Sequence, residues 1–484
     1  MKYNLYPQHQ HDFLARLDTS VKARGGNLFF VGGCVRDALR GNSNPSDTDI
    51  LVVRITDEQF REALEEFKNT PSFSTITYDF VGKSFGVYKV SVTSKVEGDY
   101  FIGNGVSSVI DFAFPRKEVS TGDGHRDFEN EFDPFMPIEE DLARRDFTMN
   151  AIAISFDGKT IVDPFKGRTD INKGILRSIG TNSISEDYLR ALRGVQFVAR
   201  FNLYINADTL KQIQDNVYLI DTISEDRIRQ ELAKLLKAPF VHRGFELLKN
   251  TGLLQAICEP LYNCNANNNY NWLHHKYNTY CHTIQAIDNL SRTCDPVVAV
   301  AAMLHDIGKP LTESVDEYGI YHNYRHEEAS VKLAKVWLES YHYSNDDTEQ
   351  ILWLIANHMG QPHREASPGR RKQIKKLLRS AKDKSWVINL FLLKQADSNA
   401  SLDFVHTNEV MDWISTMTDI IEQQEAFSLK DLQVHGFDML ELGLKGPAIG
   451  HMLNKLLTDV IEGDIVNERD ALLDYVKVTQ LVVV

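Results

Sequence analysis

Leu28-Phe29-Phe30-Val31-Gly32-Gly33-Cys34-Val35-Arg36-Asp37 and, shortly downstream, Asp47-Thr48-Asp49-Ile50-Leu51-Val52-Val53 decide how this chain is read. The first begins as an apolar strand, turns on two glycines and enters a short helix, residues 35–40, that stops at Gly41. The second places two carboxylates at the head of a β-branched, buried strand, residues 50–53. Side chains two apart on a strand point to one face, so Asp47 and Asp49 are set to bind the same hard cations. A strand–Gly-Gly–helix junction lets backbone N–H groups approach a phosphate, and Arg36 adds a planar donor fork. Asp111, opening Asp111-Phe112-Ala113-Phe114-Pro115, offers a third carboxylate from a neighbouring strand. Three such oxygens suit Mg²⁺ sharing its shell with phosphates, and two ions can activate an attacking oxygen and stabilise a leaving one. Taken singly, each feature also reads as a loop cap or a tight turn with a surface arginine.

Outward from this stretch, residues 58–67 have helical periodicity and 76–80, 85–92 and 109–114 read as strands. Residues 116–137 are polar, rich in glycine and charge, and without periodicity, which predicts a mobile loop. From about residue 183 the pattern is almost wholly helical, with helices expected at 186–200, 225–236, 282–290, 297–307, 327–338, 349–358 and 374–379 and a last helical unit over 429–484. The Asn-rich stretch 263–271 marks a boundary between helical blocks. Strands and helices first, helices afterwards, is an α+β pattern.

The 484 residues have an ordinary globular composition and a net charge of −14, which argues against indiscriminate nucleic-acid binding. Positive charge is concentrated once: residues 364–384 hold nine Lys/Arg against Glu365 and Asp383, a local +7. That stretch reads either as a solvated helix face or as a phosphate-tracking patch. The five cysteines (Cys34, Cys258, Cys264, Cys281, Cys294) form no CxxC pair, so free thiols in a reducing compartment are expected. The N-terminus lacks the apolar core of a signal peptide, and the longest apolar run, 296–304, is too short to span a bilayer. A cytoplasmic protein without membrane attachment is the expectation.

Four motifs in order make the reading specific: the Gly32–Asp37 turn; Asp47-Thr48-Asp49; Glu140-Asp141-Leu142-Ala143-Arg144-Arg145-Asp146-Phe147-Thr148-Met149-Asn150-Ala151; and Glu186-Asp187-Tyr188-Leu189-Arg190-Ala191-Leu192-Arg193. Together they resemble the bacterial CCA-adding enzymes, tRNA nucleotidyltransferases of the class that includes bacterial poly(A) polymerases. A weaker likeness continues through Asp226-Arg227-Ile228-Arg229-Gln230-Glu231-Leu232, where relatives usually have Glu in place of Asp226, and Gln196 stands where many carry Arg. The resemblance implies an α+β nucleotidyltransferase head with a small mixed or antiparallel sheet over 1–180. After it come a helical, nucleotide-selecting neck over 181–262, an HD body over 263–410 and a helical tRNA-binding tail over 411–484. It implies that Asp47 and Asp49 hold catalytic Mg²⁺, that Asp111 matches a third carboxylate, and that Gly33, Arg36 and Arg145 contact the incoming triphosphate. Asp187 and Arg190, three apart and read as one helix face with Arg193 continuing it, match the base-reading pair. An aspartate accepts from an exocyclic amine and an arginine donates to a ring nitrogen, so such a pair takes C and A and rejects G and U. The 116–137 loop resembles the element that switches specificity from C to A, and it looks full length. The implied partners are tRNA, CTP and ATP, with no obligatory protein partner evident.

A second constellation lies downstream. His305-Asp306 closes an apolar helix, with His282 upstream and His322, His326, His358 and Asp397 following. Imidazoles and carboxylates are good divalent transition-metal ligands, although one His on an apolar face is more often structural. The set resembles an HD phosphohydrolase: His282, His305, Asp306 and Asp397 match the core, and His326 and His358 the added ligands of two-metal versions, whereas His322 fits less well. This implies a divalent metal (Ni²⁺, Mn²⁺ or Mg²⁺) and phosphatase or phosphodiesterase activity, against a degenerate structural domain. In the tail, Gly450 reads as preceding a helix, open to close approach by RNA, or as an ordinary helix start. The competing functions are a poly(A) polymerase, an enzyme adding only CC or only A, a phosphohydrolase whose head merely binds RNA, and a non-catalytic RNA-binding module.

Overall fold

A computed structural model describes residues 5–42, 48–68, 73–81, 86–94, 107–120, 128–265, 278–290, 292–360, 368–401 and 407–482. The chain divides into two compact units, one of residues 1–231 with 250–253, the other of residues 232–249 with 254–484.

The first unit is built on a mixed sheet of seven strands: β1 (Asn27–Val31), β2 (Asp49–Val53), β3 (Phe73–Val81), β4 (Val87–Ser94), β5 (Ser107–Ala113), and, beyond a separate pair β6 (Arg116–Ser120) and β7 (Phe128–Phe132), the short β8 (Ala153–Ser155) and β9 (Ile161–Val162). Their order is β3-β4-β5-β2-β1-β8-β9. Within this sheet, among the described residues, only β2 and β5 pair parallel, and their register sets Asp49 opposite Asp111. Ile50 to Val53 are all buried, as an apolar run in a central strand must be. One face packs Val31, Leu51 and Val53 on Leu142, Ala151 and Ile179. The expected strands and helices of this region are present within a few residues.

Two expectations are corrected here. Residues 116–137 are not simply loop: β6 and β7 pair antiparallel, Arg116 opposite Phe132 through Ser120 opposite Phe128. Backbone pairing needs no apolar alternation, which is why a polar stretch conceals it. The segment between them lies outside the described residues. Nor is 186–200 one helix. A helix over Ser183–Glu186 ends at Asp187, whose backbone is extended (φ −138°, ψ 98°), and a new helix spans Leu189–Phe201. The Asp187 carboxylate accepts the Leu189 N–H at 3.2 Å, the local bond by which Asp competes with helix continuation.

The second unit is mainly helical, and the helices expected from periodicity are present with shifted ends: Thr279–Asn289, His326–Ser340 and Asn345–Asn357 start earlier than expected, and Pro296–Leu304 stops three residues short of the expected 307. It also holds a small hairpin that a wholly helical reading omits, Glu313–Val315 against Tyr321–Asn323. The Asn-rich boundary lies mostly outside the described residues. The basic stretch is neither a bare solvated face nor an open patch. On the helix Pro368–Ser380, Arg371 and Lys375 pair with Glu425, and Lys372 and Lys376 with Glu462. Gly450 does not precede a helix but sits inside Pro447–Glu462. All five cysteines are free thiols. No described helix is long and apolar enough to cross a membrane.

Candidate active site and candidate metal centre

At the C-terminal end of β1 the chain must turn sharply. Gly32 adopts φ +70°, a conformation a Cβ disfavours, and a Cβ there would lie 3.3 Å from Arg145 Nη1 and 3.4 Å from Asp49 Oδ2. The glycine thus lets a cation and a carboxylate close in on the start of the helix Gly33–Leu39. A cavity of about 560 Å³ opens at this point. Gly33, Arg36, Asp49, Asp111, Arg145, Asp187, Arg190 and Arg193 all line it. Every metal- and nucleotide-binding residue expected from sequence in the head and neck is therefore brought together except Asp47, which lies outside the described residues.

The arginines are held, not loose. Asp141, fully buried, accepts Arg144 at 2.6 Å and Arg145 at 3.1 Å. Burial pushes the Asp141 carboxyl up, but the two guanidiniums override it and hold it below the usual carboxylate range. Arg36 donates to Asp37 at 2.7 Å and to Asn150 at 3.0 Å, and its guanidinium lies on the rings of Phe197 and Phe201. Asn150 donates in turn to Asp146 at 2.9 Å, and Asp146 lies 2.9 Å from Arg193. Asp141, Asp146 and Asn150 were not singled out by sequence reasoning. The signal was present, since all three stand inside the third motif.

Asp187 and Arg190 both reach the cavity, but not as neighbours on one helix face, because Asp187 precedes the helix. The Arg190 guanidinium is set by Ser183 (carbonyl at 3.0 Å, hydroxyl at 2.7 Å) and by the Arg144 carbonyl at 2.7 Å. Arg193 does follow Arg190 along the same helix. Gln196, in place of the usual arginine, is buried within it. Fixed cations facing Asp49 and Asp111 in one cleft suit a polyphosphate with divalent ions.

In the second unit, His282, His305, Asp306, His326, His358 and Asp397 converge. His282 Nε2 is 2.8 Å from Asp397, His305 Nε2 is 3.2 Å from Asp306, and His326 Nε2 is 3.2 Å from Asp306. Two three-ligand groups result, His282/His305/Asp397 and His305/Asp306/His358. The donor set fits a metal for a reason seen in the rings. Nδ1 of His305, His326 and His358 each bonds the carbonyl three residues earlier, at 2.8, 2.8 and 2.7 Å. That arrangement leaves Nε2 as the ligand atom of each ring. The Nε2 atoms of His326 and His358 then face each other at 3.2 Å, and the buried Nε2 of His305, although 3.2 Å from Asp306 Oδ2, forms no well-directed hydrogen bond. Burial pushes the His305 imidazole down, yet Asp306 and Asp397 outweigh it and raise it to about 10, so the carboxylates draw a cation to this point. His322 stands apart, paired with Asp316 at 2.8 Å. Lys309, which bonds Asp306 at 2.6 Å, was not singled out beforehand.

Comparison with known proteins bears on both sites. The chain matches the family models described as "Poly A polymerase head domain" over residues 28–177 and "HD domain" over 272–398. A tRNA nucleotidyltransferase domain 2 model matches over 372–476. A "Multifunctional CCA protein" of Nitrosococcus oceani is 32% identical over 63% of this chain and 68% of its own length. One from Dechloromonas aromatica is 32% identical over 70% of this chain and 75% of its own. The fold is that of the Bacillus stearothermophilus CCA-adding enzyme in complex with CTP (TM-score 0.67, 22% identity, 98% of each chain). It is also that of the Thermotoga maritima CCA-adding enzyme complexed with tRNA (TM-score 0.57, 18% identity, 99% of this chain and 100% of that one).

Proposed function

The chain belongs to the family of the multifunctional CCA proteins, bacterial CCA-adding enzymes with an HD domain, and on that premise we propose that it adds CCA to the 3′ end of tRNA from CTP and ATP without a nucleic-acid template. The observation that carries this reading is that one cavity gathers Asp49, Asp111, the arginines Arg36, Arg145 and Arg193, and the Asp187/Arg190 pair.

The RNA 3′-hydroxyl attacks the α-phosphate of the bound nucleotide, and the bond to the β-phosphate breaks with release of pyrophosphate. Gly33, Arg36 and Arg145 contact the triphosphate, the two guanidiniums neutralising and orienting it, and Arg193 continues the nucleotide-binding face beyond Arg190, so that much of the rate comes from positioning. Asp49 and Asp111, joined by Asp47, would hold Mg²⁺, which supplies charge neutralisation at the reacting oxygens when bound. Asp187 accepts the exocyclic amine of C or A, and Arg190, its guanidinium partly fixed by carbonyls, donates to the adjacent ring nitrogen. The β6–β7 hairpin and its connection take the part assigned to the 116–137 segment in switching from C to A. His282, His305, Asp306, His326, His358 and Asp397 would hold Ni²⁺, Mn²⁺ or Mg²⁺ and hydrolyse phosphoesters. We read the domains as head 1–180, neck 181–262, HD body 263–410 and tail 411–484, and place the protein in the cytoplasm.

The test is a tRNA transcript ending before CCA, incubated with Mg²⁺ and each nucleotide singly, then CTP with ATP. Growth by two with CTP and by three with both, GTP and UTP inert, is the expected result. Long A tails from ATP alone would replace the reading by a poly(A) polymerase, and a stop after CC would remove the role given to the 116–137 segment.

A further inference from the structure

Lys394 is 2% exposed, an unusual setting for an ammonium. Its Nζ donates to three consecutive carbonyls, those of His358 at 2.8 Å, Met359 at 2.9 Å and Gly360 at 2.5 Å. These sit at and just past the C-terminal end of the helix Asn345–Asn357, where carbonyls lack intrahelical partners and the dipole is negative. Each ammonium hydrogen thus has its own acceptor, and the chain turns away at Gly360 with φ +71°. On its own helix, Lys384–Ser401, Lys394 stands one turn before Asp397, whose carboxylate meets His282 at 2.8 Å. His358, whose carbonyl the lysine grips, presents Nε2 3.2 Å from His326 Nε2 and 3.7 Å from Asp306. One side chain therefore ties the backbone that carries His358 to the helix that carries Asp397.

We propose that Lys394 is a positioning residue of the HD centre, holding His358 against Asp306 and His326 so that the centre takes two divalent cations instead of one. The inference rests on the metal-binding reading of this site given above. Lys394 touches neither the substrate nor a metal; it acts through the place of the His358 ring. A lysine that merely filled the core would behave otherwise. Its replacement by an aliphatic chain of similar volume would alter thermal stability and leave the number of bound ions alone.

The test titrates the metal-stripped full-length chain with Mn²⁺, in an Asp49→Ala background that removes binding at the head. The reference protein is expected to bind two ions, and Lys394→Met and His358→Ala to bind one, with the second weakened at least about tenfold. In Lys394→Ala, added propylammonium is expected to restore the second ion. Nucleotide addition with Mg²⁺ by Lys394→Met in an otherwise native chain, within about twofold of wild type, reports that the fold is intact. Two ions at unchanged affinity in Lys394→Met would overturn the positioning role alone. Loss of both ions together with nucleotide addition would overturn it by making Lys394 a residue of the fold. No Mn²⁺ bound by the reference protein would bring down the metal reading, and this inference with it.

Discussion

Asp49 and Asp111 meet because two strands run parallel in one register. Asp111→Ala is expected to lower single-turnover CMP incorporation at least about 100-fold while the melting temperature stays near wild type. Asp141 makes a different prediction. Its carboxyl is held low in the folded chain by Arg145 and Arg144 against the opposing effect of burial. It therefore adds stability above the unfolded-state value, about pH 3.9, and that stability is lost as pH falls through the folded value. Asp141→Asn should cost about 3 kcal/mol at pH 7, because two guanidiniums lose their shared partner, and should flatten the acid limb of a stability–pH curve. An equally steep acid limb in the variant would contradict this. The candidate aspartates Asp49 and Asp111 were legible in sequence because their strand context suits the proposed chemistry. Asp141 was not, since an acidic residue in a first helical turn looks the same whether it faces water or lies under two arginines.

The elements succeed and fail as readings for physical reasons. The helix Glu225–Leu236 was expected at its observed ends, and the strand–turn–helix at Gly32 was legible because β-branched residues, two glycines and a helical run leave few alternatives. The break at Asp187 was hidden: helical periodicity runs through it, and the interruption shows only in the extended Asp187 backbone and its carboxylate's bond to Leu189 N–H. The β6–β7 pair was hidden because a polar hairpin has no apolar face to announce it. Gly32→Ala tests the turn. A Cβ at φ +70° is strained by about 1–2 kcal/mol and crowds Arg145 and Asp49. The expected outcome is weaker CTP use, a raised KM with RNA binding unchanged. Wild-type KM in that variant would show that the close approach is not used.

Over the whole chain, the two proposed metal sites draw on different sets of residues: aspartate oxygens in the head, imidazoles with carboxylates in the HD site. His305→Ala is accordingly expected to abolish metal-dependent phosphoester hydrolysis while CCA addition stays within about twofold of wild type, measured side by side. Loss of both would mean that the HD site supports the head. Charge was the least legible property at this scale. Counting along the sequence isolates a +7 stretch, yet its partners Glu425 and Glu462 come from elsewhere in the chain, so the arithmetic of a window cannot see this partial neutralisation. The strand order adds a rule about length. β3 is an outer strand of the sheet and, among the described residues, pairs only with β4, so residues inserted where those two strands connect leave Asp49 and Asp111 facing each other. One residue inserted after Asp49 within β2 would slip the strand and turn its side chains to the opposite face. Related chains are thus free to grow at that outer edge and bound to constant length at the centre, which makes gap placement in an alignment a marker of where the chemistry sits.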